Sequence, residues 1–334
     1  MWGILMKKIK LIATGGTISA RGTDRMDLKD YQSGYYTGKD FIKHIPEISN
    51  IADVDVTQLT NFSSTHIQTE HWLELRKLVE EALNEADYDG VVITHGTNTL
   101  EEIAYFLHLT VNSEKPVVCV GAQRPFTALG SDAGTNLVAA IRVAANSSSF
   151  GKGVLVVMND EINSAREVSK TSTYRLETFQ SGTLGLLGYV DADQTVQFYR
   201  SPQRRHTTNS QFSKLSLEKL AAVEIVYSYA GANGDLIRYI LNSGNYDGII
   251  VAGTGAGRCS AQEGEALKEA VENGLIVVRS SRVGDGRVVP IESFQEFSCV
   301  TADNLNPQKA RILLMLSLSI SNDVSEIQRV FDDY

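Results

Sequence analysis

The sequence predicts a two-domain α/β protein, with a larger N-terminal, mostly parallel sheet flanked by helices and a smaller C-terminal α/β domain. Short runs rich in valine and isoleucine alternate with helix-like segments, and each run ends at glycine or a small polar cluster. Strands that alternate with helices in this way form parallel sheets buried on both faces. One polar stretch without an apolar period, YRSPQRRHTTNSQFSKLS, separates two groups of runs.

Seven apolar runs predict the central strands, four before the polar stretch and three after it. In chain order they are KIKLIATGG, DGVVITHGT, KPVVCVGAQRP, GVLVVMND, VEIVYSYAG, DGIIVAGTGAG and GLIVVRSSRVG. Residues 71–86, HWLELRKLVEEALNEA, repeat apolar side chains at helical spacing, which predicts an amphipathic crossover helix. The predicted boundaries are an N-terminal domain over 1–200, a linker over 201–220 and a C-terminal domain over 221–334.

Charge and composition argue against several classes of protein. The chain carries a net charge of −9 and no basic stripe, which predicts no nucleic-acid partner. No segment approaches the roughly 20 apolar residues that span a bilayer, so we expect no membrane partner. The N-terminal MWGILMKKIKLIATGG places its charged pair after the first apolar residues, which favours a first strand over a secretion signal. The three cysteines form no CxxC pair, which predicts a reduced, cytoplasmic setting.

The sequence predicts no metal and no cofactor. His66 and His71 lie five residues apart, which does not place them on one helical face, and the other histidines are scattered. We expect the histidines to be surface or hydrogen-bonded core residues. GYYTGKD is one residue short of a phosphate-binding P-loop and lacks its final hydroxyl, and GTGAGR does not match GxGxxG. These mismatches disfavour a nucleotide-binding protein.

Two predicted strands end in hydroxyl-rich clusters, ATGGTISARG and THGTNT. Ligands of open α/β sheets bind beyond the carboxyl ends of the strands, so these clusters are candidate sites. The first displays Thr17 after two glycines, where a threonine could be a nucleophile if a base activates it, or simply the cap of a turn. Lys170, in the polar stretch EINSAREVSKT, could be that base beside a second threonine, because burial lowers a lysine pKa.

These clusters, with GAQRP, VLVVMND, VVRSSRVG and LNPQKAR, resemble in order the signature blocks of the bacterial-type L-asparaginase/glutaminase family. The resemblance runs from near residue 9 to the C-terminus. It implies an amidohydrolase that converts the side-chain amide of L-asparagine to L-aspartate and ammonia through a threonine nucleophile. It also implies a small-molecule amide as substrate, no cofactor or metal, and a homo-oligomer, a dimer of dimers whose sites are completed by a neighbouring subunit.

The resemblance implies a role for each of several residues. Thr17 matches the primary nucleophile, and Tyr31 matches a mobile tyrosine that assists it. Thr97 and Lys170 match the pair that activates a nucleophile or relays protons, which leaves open which threonine attacks. Ser64 matches the serine that holds the substrate α-carboxylate.

The sequence departs from the family pattern around the α-amine of the substrate. Asn98 stands where the family usually carries aspartate, which removes a negative charge beside both the substrate ammonium and the lysine. Thr65 replaces a glutamine of secreted members, Arg258 falls near an asparagine from the neighbouring subunit, and Glu292 is a candidate acidic residue near the amine. The backbone N–H groups of the turn at Gly96 remain suited to stabilise an oxyanion.

The departures leave two alternatives open. The first is an amidase of the same mechanism that acts on an asparagine or glutamine derivative whose α-amine is modified or absent. The second, of another class, is a non-catalytic amino-acid-binding protein on this scaffold. Thr17, Thr97 and Lys170 are all present, which argues against the binder because binding alone does not need that trio. Residues 21–36, rich in glycine, polar side chains and tyrosine, are predicted to form a lid.

Overall fold

The computed structural model describes residues 6–292 and 298–334. The chain divides into two compact units between Ser216 and Leu217, inside the range 201–220 that the sequence predicts as a linker. The segment before the division packs as part of the first unit, with Phe212 fully buried. The guanidinium of Arg76 donates to two backbone carbonyls of this segment at 3.0 and 3.1 Å. This polar segment is therefore a hydrogen-bonded loop of the first unit.

The described residues contain sixteen strands and eight α-helices. The strands are β1 (Lys8–Gly15), β2 (Arg21–Gly22), β3 (Tyr31–Gln32), β4 (Asp53–Phe62), β5 (Gly90–Thr94), β6 (Val117–Val120), β7 (Val154–Met158), β8 (Glu161–Ser164), β9 (Ser169–Lys170), β10 (Phe179–Gln180), β11 (Gly188–Val190), β12 (Val196–Phe198), β13 (Val223–Tyr227), β14 (Gly248–Gly253), β15 (Ile276–Ser281) and β16 (Val300–Thr301). The helices are α1 (Gly38–His44), α2 (Thr69–Glu80), α3 (Leu100–Thr110), α4 (Ala133–Ala145), α5 (Asp235–Ser243), α6 (Ala261–Glu272), α7 (Pro307–Ser317) and α8 (Val324–Asp333).

The first unit is built on an eight-stranded sheet in the order β12-β11-β8-β7-β6-β5-β1-β4. The strands β4, β1, β5, β6 and β7 are parallel, and β8, β11 and β12 continue the sheet antiparallel. Leu11 of β1 pairs with Val56 of β4 on one side and Val92 of β5 on the other. The strand order thus reverses at β1, and such a reversal opens a crevice between the carboxyl ends of β1 and β5.

Helices cover the first sheet because its strands are apolar on both faces. All five residues of β5, GVVIT, are buried, as expected for a central parallel strand. Helices α1 and α4 contribute Phe41 and Leu137 to a core that includes Leu11 of β1. Helices α2 and α3 pack against each other through Trp72 and Phe106, whose ring centroids lie 5.5 Å apart. The predicted helix over 71–86 is observed as α2, followed by one wider turn over Glu81–Glu85.

The second unit is a four-stranded parallel sheet in the sequential order β13-β14-β15-β16. Ile237 of α5 and Leu267 of α6 pack with the sheet in one core. Helix α6 begins at a capping box in which Ser260 and Glu263 satisfy each other's backbone N–H groups. The two-domain α/β architecture predicted from the sequence is confirmed. Within the described part of the chain, no helix is both long and apolar enough to span a membrane.

Candidate active site

Two glycines bring the carboxyl ends of β1 and β5 into direct contact. Gly16 has φ +85°, a region that side-chain-bearing residues rarely adopt. A Cβ added to Gly16 would lie 2.2 Å from the Cα of Gly96. The two turns therefore touch backbone to backbone, and each turn presents a threonine as its next residue, Thr17 in one and Thr97 in the other.

Thr17 is hydrogen-bonded to Tyr31. Its Oγ1 lies 3.0 Å from the Tyr31 hydroxyl, and both residues are half-buried. Tyr31 is held by the antiparallel pairing of β2 with β3, in which it lies opposite Gly22. This hairpin lies within residues 21–36, the segment predicted as a lid. The sequence prediction that joins Thr17 with Tyr31 therefore corresponds to a contact between their hydroxyls.

Thr97 lies in the middle of a chain of three side chains. Lys170 Nζ donates to Thr97 Oγ1 at 2.8 Å, and the Thr97 hydroxyl donates to Gln123 Oε1 at 3.0 Å. Thr97 is only 4% exposed, so water competes little for these bonds. Burial lowers the pKa of Lys170, and the nearby carboxylate of Glu101 opposes part of that change. The geometry couples one amine to one hydroxyl, as a proton relay requires.

Asn98 is the second partner of the lysine. Lys170 Nζ donates to Asn98 Oδ1 at 3.1 Å. A lysine ammonium has donors only, so the amide oxygen must face it and the amide nitrogen must point elsewhere. The Asn98 residue as a whole is exposed. The chain thus presents an N–H donor where the resemblance leads us to expect a carboxylate oxygen.

Ser64 belongs to the same crevice. It lies in a short 3-10 turn, Ser64–His66, directly after β4, and is 3% exposed. A Cβ added to Gly96 would lie 2.7 Å from the Ser64 Oγ, so this hydroxyl sits against the turn that carries Thr97. Thr65 is exposed, and its hydroxyl is paired with that of Ser63 at 2.9 Å.

Arg258 and Glu292 belong to the second unit. The backbone N–H and carbonyl of Arg258 bond to Thr254 at 2.9 and 2.7 Å and close a tight turn after β14. The Arg258 side chain is exposed, and so is Glu292, which directly precedes the residues 293–297 outside the described part of the chain. Their contacts with a substrate stay predictions.

His95 joins the ends of the two central strands. Its Nδ1 lies 2.7 Å from Thr14 Oγ1, and its Nε2 lies 3.2 Å from Thr99 Oγ1. The Thr14 hydroxyl donates to the carbonyl of Thr94 at 2.9 Å, and the Thr99 hydroxyl donates to the carbonyl of Ser64 at 3.2 Å. Burial lowers the pKa of His95 to about 4, so the ring is neutral at pH 7. It is a hydrogen-bonded core histidine that connects Thr14, at the end of β1, to Thr99, after β5.

Gln123 is a site residue that the sequence analysis missed. It follows β6 in GAQRP, one of the blocks that carry the family resemblance. Its Oε1 accepts from Thr97, and its Nε2 donates to the carbonyls of Thr173 and Arg175 at 3.3 and 3.2 Å. The available signal was its position at the carboxyl end of the strand next to β5, where parallel neighbours end at the same edge.

The chemistry available at this edge is that of acyl transfer. Two hydroxyls, a lysine amine and backbone N–H groups at a strand-to-helix turn are the group types that acyl transfer needs as nucleophile, base and oxyanion donors. Across residues 6–292 and 298–334, no cluster of three or more His, Cys, Asp or Glu side chains could hold a metal ion.

Two family models cover nearly the whole chain. Residues 8–204 match the model described as "Asparaginase, N-terminal", and residues 222–331 match the "Glutaminase/Asparaginase C-terminal domain".

Curated proteins and a solved structure are similar over the same length. The chain is 41% identical to L-asparaginase 2 of Bacillus subtilis (strain 168), covering 98% of this chain and 87% of that protein. It is 40% identical to the glutaminase-asparaginase of Pseudomonas fluorescens biotype A, covering 98% of this chain and 91% of that protein. A crystal structure of a probable cytoplasmic L-asparaginase from Campylobacter jejuni superposes with a TM-score of 0.94 at 41% identity, covering 98% and 100% of the two chains.

Proposed function

This chain belongs to the asparaginase/glutaminase family, and on that premise we propose that it hydrolyses the side-chain amide of L-asparagine to L-aspartate and ammonia. The observation that carries the proposal is the pair Lys170–Thr97, placed by the contact of Gly16 with Gly96 beside the pair Thr17–Tyr31. A protein that only binds amino acids does not need a threonine hydroxyl hydrogen-bonded to a lysine amine beside a second threonine hydroxyl. The names of relatives about 40% identical support the same activity.

In the first half of the reaction, Thr17 Oγ1 attacks the side-chain amide carbon. Its proton moves by way of the Tyr31 hydroxyl, 3.0 Å away, to the amide nitrogen. The C–N bond breaks, ammonia leaves, and an ester to Thr17 remains. Backbone N–H groups at Gly96 and Thr97 stabilise the oxyanion, because a strand-to-helix turn directs such donors outward.

In the second half, water hydrolyses the ester. Unprotonated Lys170 accepts a proton from Thr97, which in turn takes one from the attacking water. The ester C–O bond breaks, the proton held by Lys170 returns by way of Thr97 to the Thr17 oxygen, and L-aspartate is released. Burial of Lys170 favours this step because it lowers the pKa of the amine and so raises the fraction of free base.

Substrate binding involves residues around the same crevice. Ser64, buried against Gly96, is suited to donate to the α-carboxylate. Asn98 and Thr65 lie near the end of the substrate that carries the α-amine, and Arg258 and Glu292 are proposed to reach it from a neighbouring subunit. An amide without a free α-amine is the alternative substrate, since Asn98 offers a donor there in place of a carboxylate.

Ammonia release from purified enzyme tests the proposal. L-Asparagine, L-glutamine, N-acetyl-L-asparagine and succinamate are compared by kcat/KM, and we expect L-asparagine to give the highest value. Thr17→Ala should be inactive, and its circular dichroism spectrum should show that it is folded. An aspartyl adduct on Thr17, trapped by rapid quench and mass spectrometry, would identify the nucleophile. If no amide releases ammonia while L-asparagine still binds, the non-catalytic alternative is correct.

Assembly and location are part of the proposal. We infer a homotetramer, which the family resemblance implies, and a cytoplasmic location. The location is supported by three cysteines that form no CxxC pair and by the similarity to the probable cytoplasmic L-asparaginase of Campylobacter jejuni. The Haemophilus influenzae relative, 41% identical, is named periplasmic, so location needs its own test. Light scattering measures the assembly, and fractionation of the source cells measures the location.

A further inference from the structure

Gln123 connects the catalytic pair to the hairpin that carries the lysine. Its Oε1 accepts the Thr97 hydroxyl at 3.0 Å, and its Nε2 donates to two carbonyls of the loop between β9 and β10. Lys170 is the last residue of β9. Gln123 is 8% exposed, so the protein satisfies its amide with little help from solvent. One side chain thus contacts the hydroxyl and the segment that positions the amine.

The orientation of this amide is fixed by its surroundings. Two carbonyls can only accept, so Nε2 must face them and Oε1 must face Thr97. The backbone is fixed as well, because Gln123 N donates to Asp132 Oδ2 at 2.9 Å. Asn136 Nδ2 donates to the same carboxylate oxygen at 3.0 Å and to the carbonyl of Gly121 at 3.1 Å. The amide therefore cannot flip without leaving buried groups unpaired.

This orientation gives the hydrogen-bond chain a direction. Thr97 has one hydroxyl proton, and the oxygen of Gln123 can only accept it. The Thr97 oxygen then accepts from Lys170, as observed at 2.8 Å. The chain runs from Lys170 to Thr97 to Gln123. Before Lys170 can receive a proton through Thr97, the Thr97 hydroxyl must turn away from Gln123.

We propose that Gln123 is a positioning residue that competes with Lys170 for the Thr97 proton and so sets the pH at which the pair can act as a base. The inference rests on the proposed amidohydrolase function and extends it to a residue outside the pair. While Gln123 holds the Thr97 proton, the lysine is favoured as an ammonium donor. Removal of the Gln123 acceptor allows Thr97 to donate to unprotonated Lys170.

Three charged groups lie close to Lys170, to Gln123 or on the hairpin loop. Glu101, in the first turn of α3, attracts the ammonium, and Asp132 lies behind the Gln123 backbone. Arg175, on the hairpin loop, is exposed and paired with a neighbouring carboxylate at 3.8 Å. Replacement of Gln123 leaves all three in the sequence. A change in pH dependence in such a variant therefore reports the lost amide.

The test is the pH dependence of kcat on L-asparagine, measured on the full-length protein. Gln123→Met keeps the length of the side chain and removes the acceptor. We expect its acid limb to move to lower pH by about 0.5–1 unit, the size of one lost hydrogen bond. Gln123→Glu keeps an acceptor oxygen and adds negative charge, so its acid limb should move to higher pH.

Thr178→Val is the matched control. Thr178 Oγ1 donates to the carbonyl of Ser172 at 2.6 Å and accepts from its N–H at 3.0 Å, so the variant loosens the hairpin loop without removing a Thr97 partner. It should lower Tm and keep the acid limb of the wild type.

Each outcome decides the inference. An unmoved acid limb in Gln123→Met, or an equal shift in Thr178→Val, overturns it while the proposed function stands. If Gln123→Met does not fold, the direction of the shift in Gln123→Glu decides. A wild-type protein that releases no ammonia overturns the proposed function and this inference together.

Discussion

The carboxyl ends of parallel strands carry small polar residues in both sheets, and their hydrogen bonds differ. In the second sheet, Ser280 donates to a backbone carbonyl at 2.8 Å and Ser281 to another at 2.6 Å. In the first sheet, the Thr97 hydroxyl lies between two side chains, Lys170 and Gln123. A hydroxyl bonded to a backbone carbonyl stabilises a turn, whereas one between an amine and an amide can exchange its proton.

Strand order explains the difference. In the first sheet the order reverses at β1, so two loops leave in opposite directions and a crevice opens between β1 and β5. In the second sheet the order is sequential, so each strand lies beside the strand that precedes it in the chain. The same type of sequence signal therefore marks a candidate site in one unit and capped turns in the other.

The largest expected effect is on kcat, and it tests whether catalysis depends on the hydrogen bond between Lys170 and Thr97. Lys170→Met and Thr97→Val should each lower kcat by about 10²–10⁴-fold, because each removes one half of a proton relay. The double variant should lose no more than the worse single variant, since the two groups act as a unit. Ser280→Ala, in the second sheet, should lose about 1 kcal/mol of stability and keep its kcat. Additive losses in the double variant would contradict the relay.

The next largest effect is a loss in the free energy of unfolding, compared between one glycine of each unit. Gly16→Ala forces a Cβ to within 2.2 Å of the Gly96 backbone at φ +85°, and we expect a loss of about 3 kcal/mol in the free energy of unfolding. At Gly255, φ is +51° and an added Cβ meets no described atom within 4 Å, so Gly255→Ala should cost about 1 kcal/mol. Urea unfolding measures both. Equal losses would show that the Gly16–Gly96 contact is not tightly packed.

Asn98→Asp tests whether residue 98 contacts the α-amine of the substrate. The added carboxylate should strengthen binding of the free α-amine and lower KM for L-asparagine by about 10- to 100-fold. It should also raise the pKa of Lys170 and move the acid limb of kcat to higher pH. Steady-state kinetics from pH 5 to 10 would measure both. A KM unchanged by the substitution would place the α-amine away from residue 98.

The last effect is absent at neutral pH and concerns the stability of the strand ends in acid. Burial lowers the pKa of His95 from 6.5 to about 4, so the unfolded chain binds this proton more readily than the folded chain. The contribution is therefore lost as pH falls below about 6.5, with a slope of up to about 1.4 kcal/mol per pH unit down to about pH 4. We measure the free energy of unfolding by denaturant at several pH values across that range. It should fall less steeply with decreasing pH in His95→Gln than in the wild type. Equal slopes would assign the acid sensitivity to other groups.

Much of the fold could be predicted because its central strands are continuous apolar runs. All seven predicted runs contain observed strands, from β1 to β15. The strand β4, DVDVTQLTNF, was missed because an edge strand alternates polar and apolar residues and does not form such a run. The consequence is functional, since β4 leads directly into Ser64. Gln123 was missed because a single glutamine forms no motif, and only its position after β6 marked it.

The sequence by itself determined seven central strands, the presence of two units and the hydroxyl clusters at strand ends, because these depend on local composition and period. The family resemblance paired Thr97 with Lys170, but only the tertiary structure decided the geometry of that pair and which amide oxygen accepts the Thr97 hydroxyl. Thr97 and Lys170 are 73 residues apart, and Thr97 and Gln123 are 26 apart. Contacts over such distances depend on strand order and on where a hairpin packs, and neither is encoded in the residues around any one of the three.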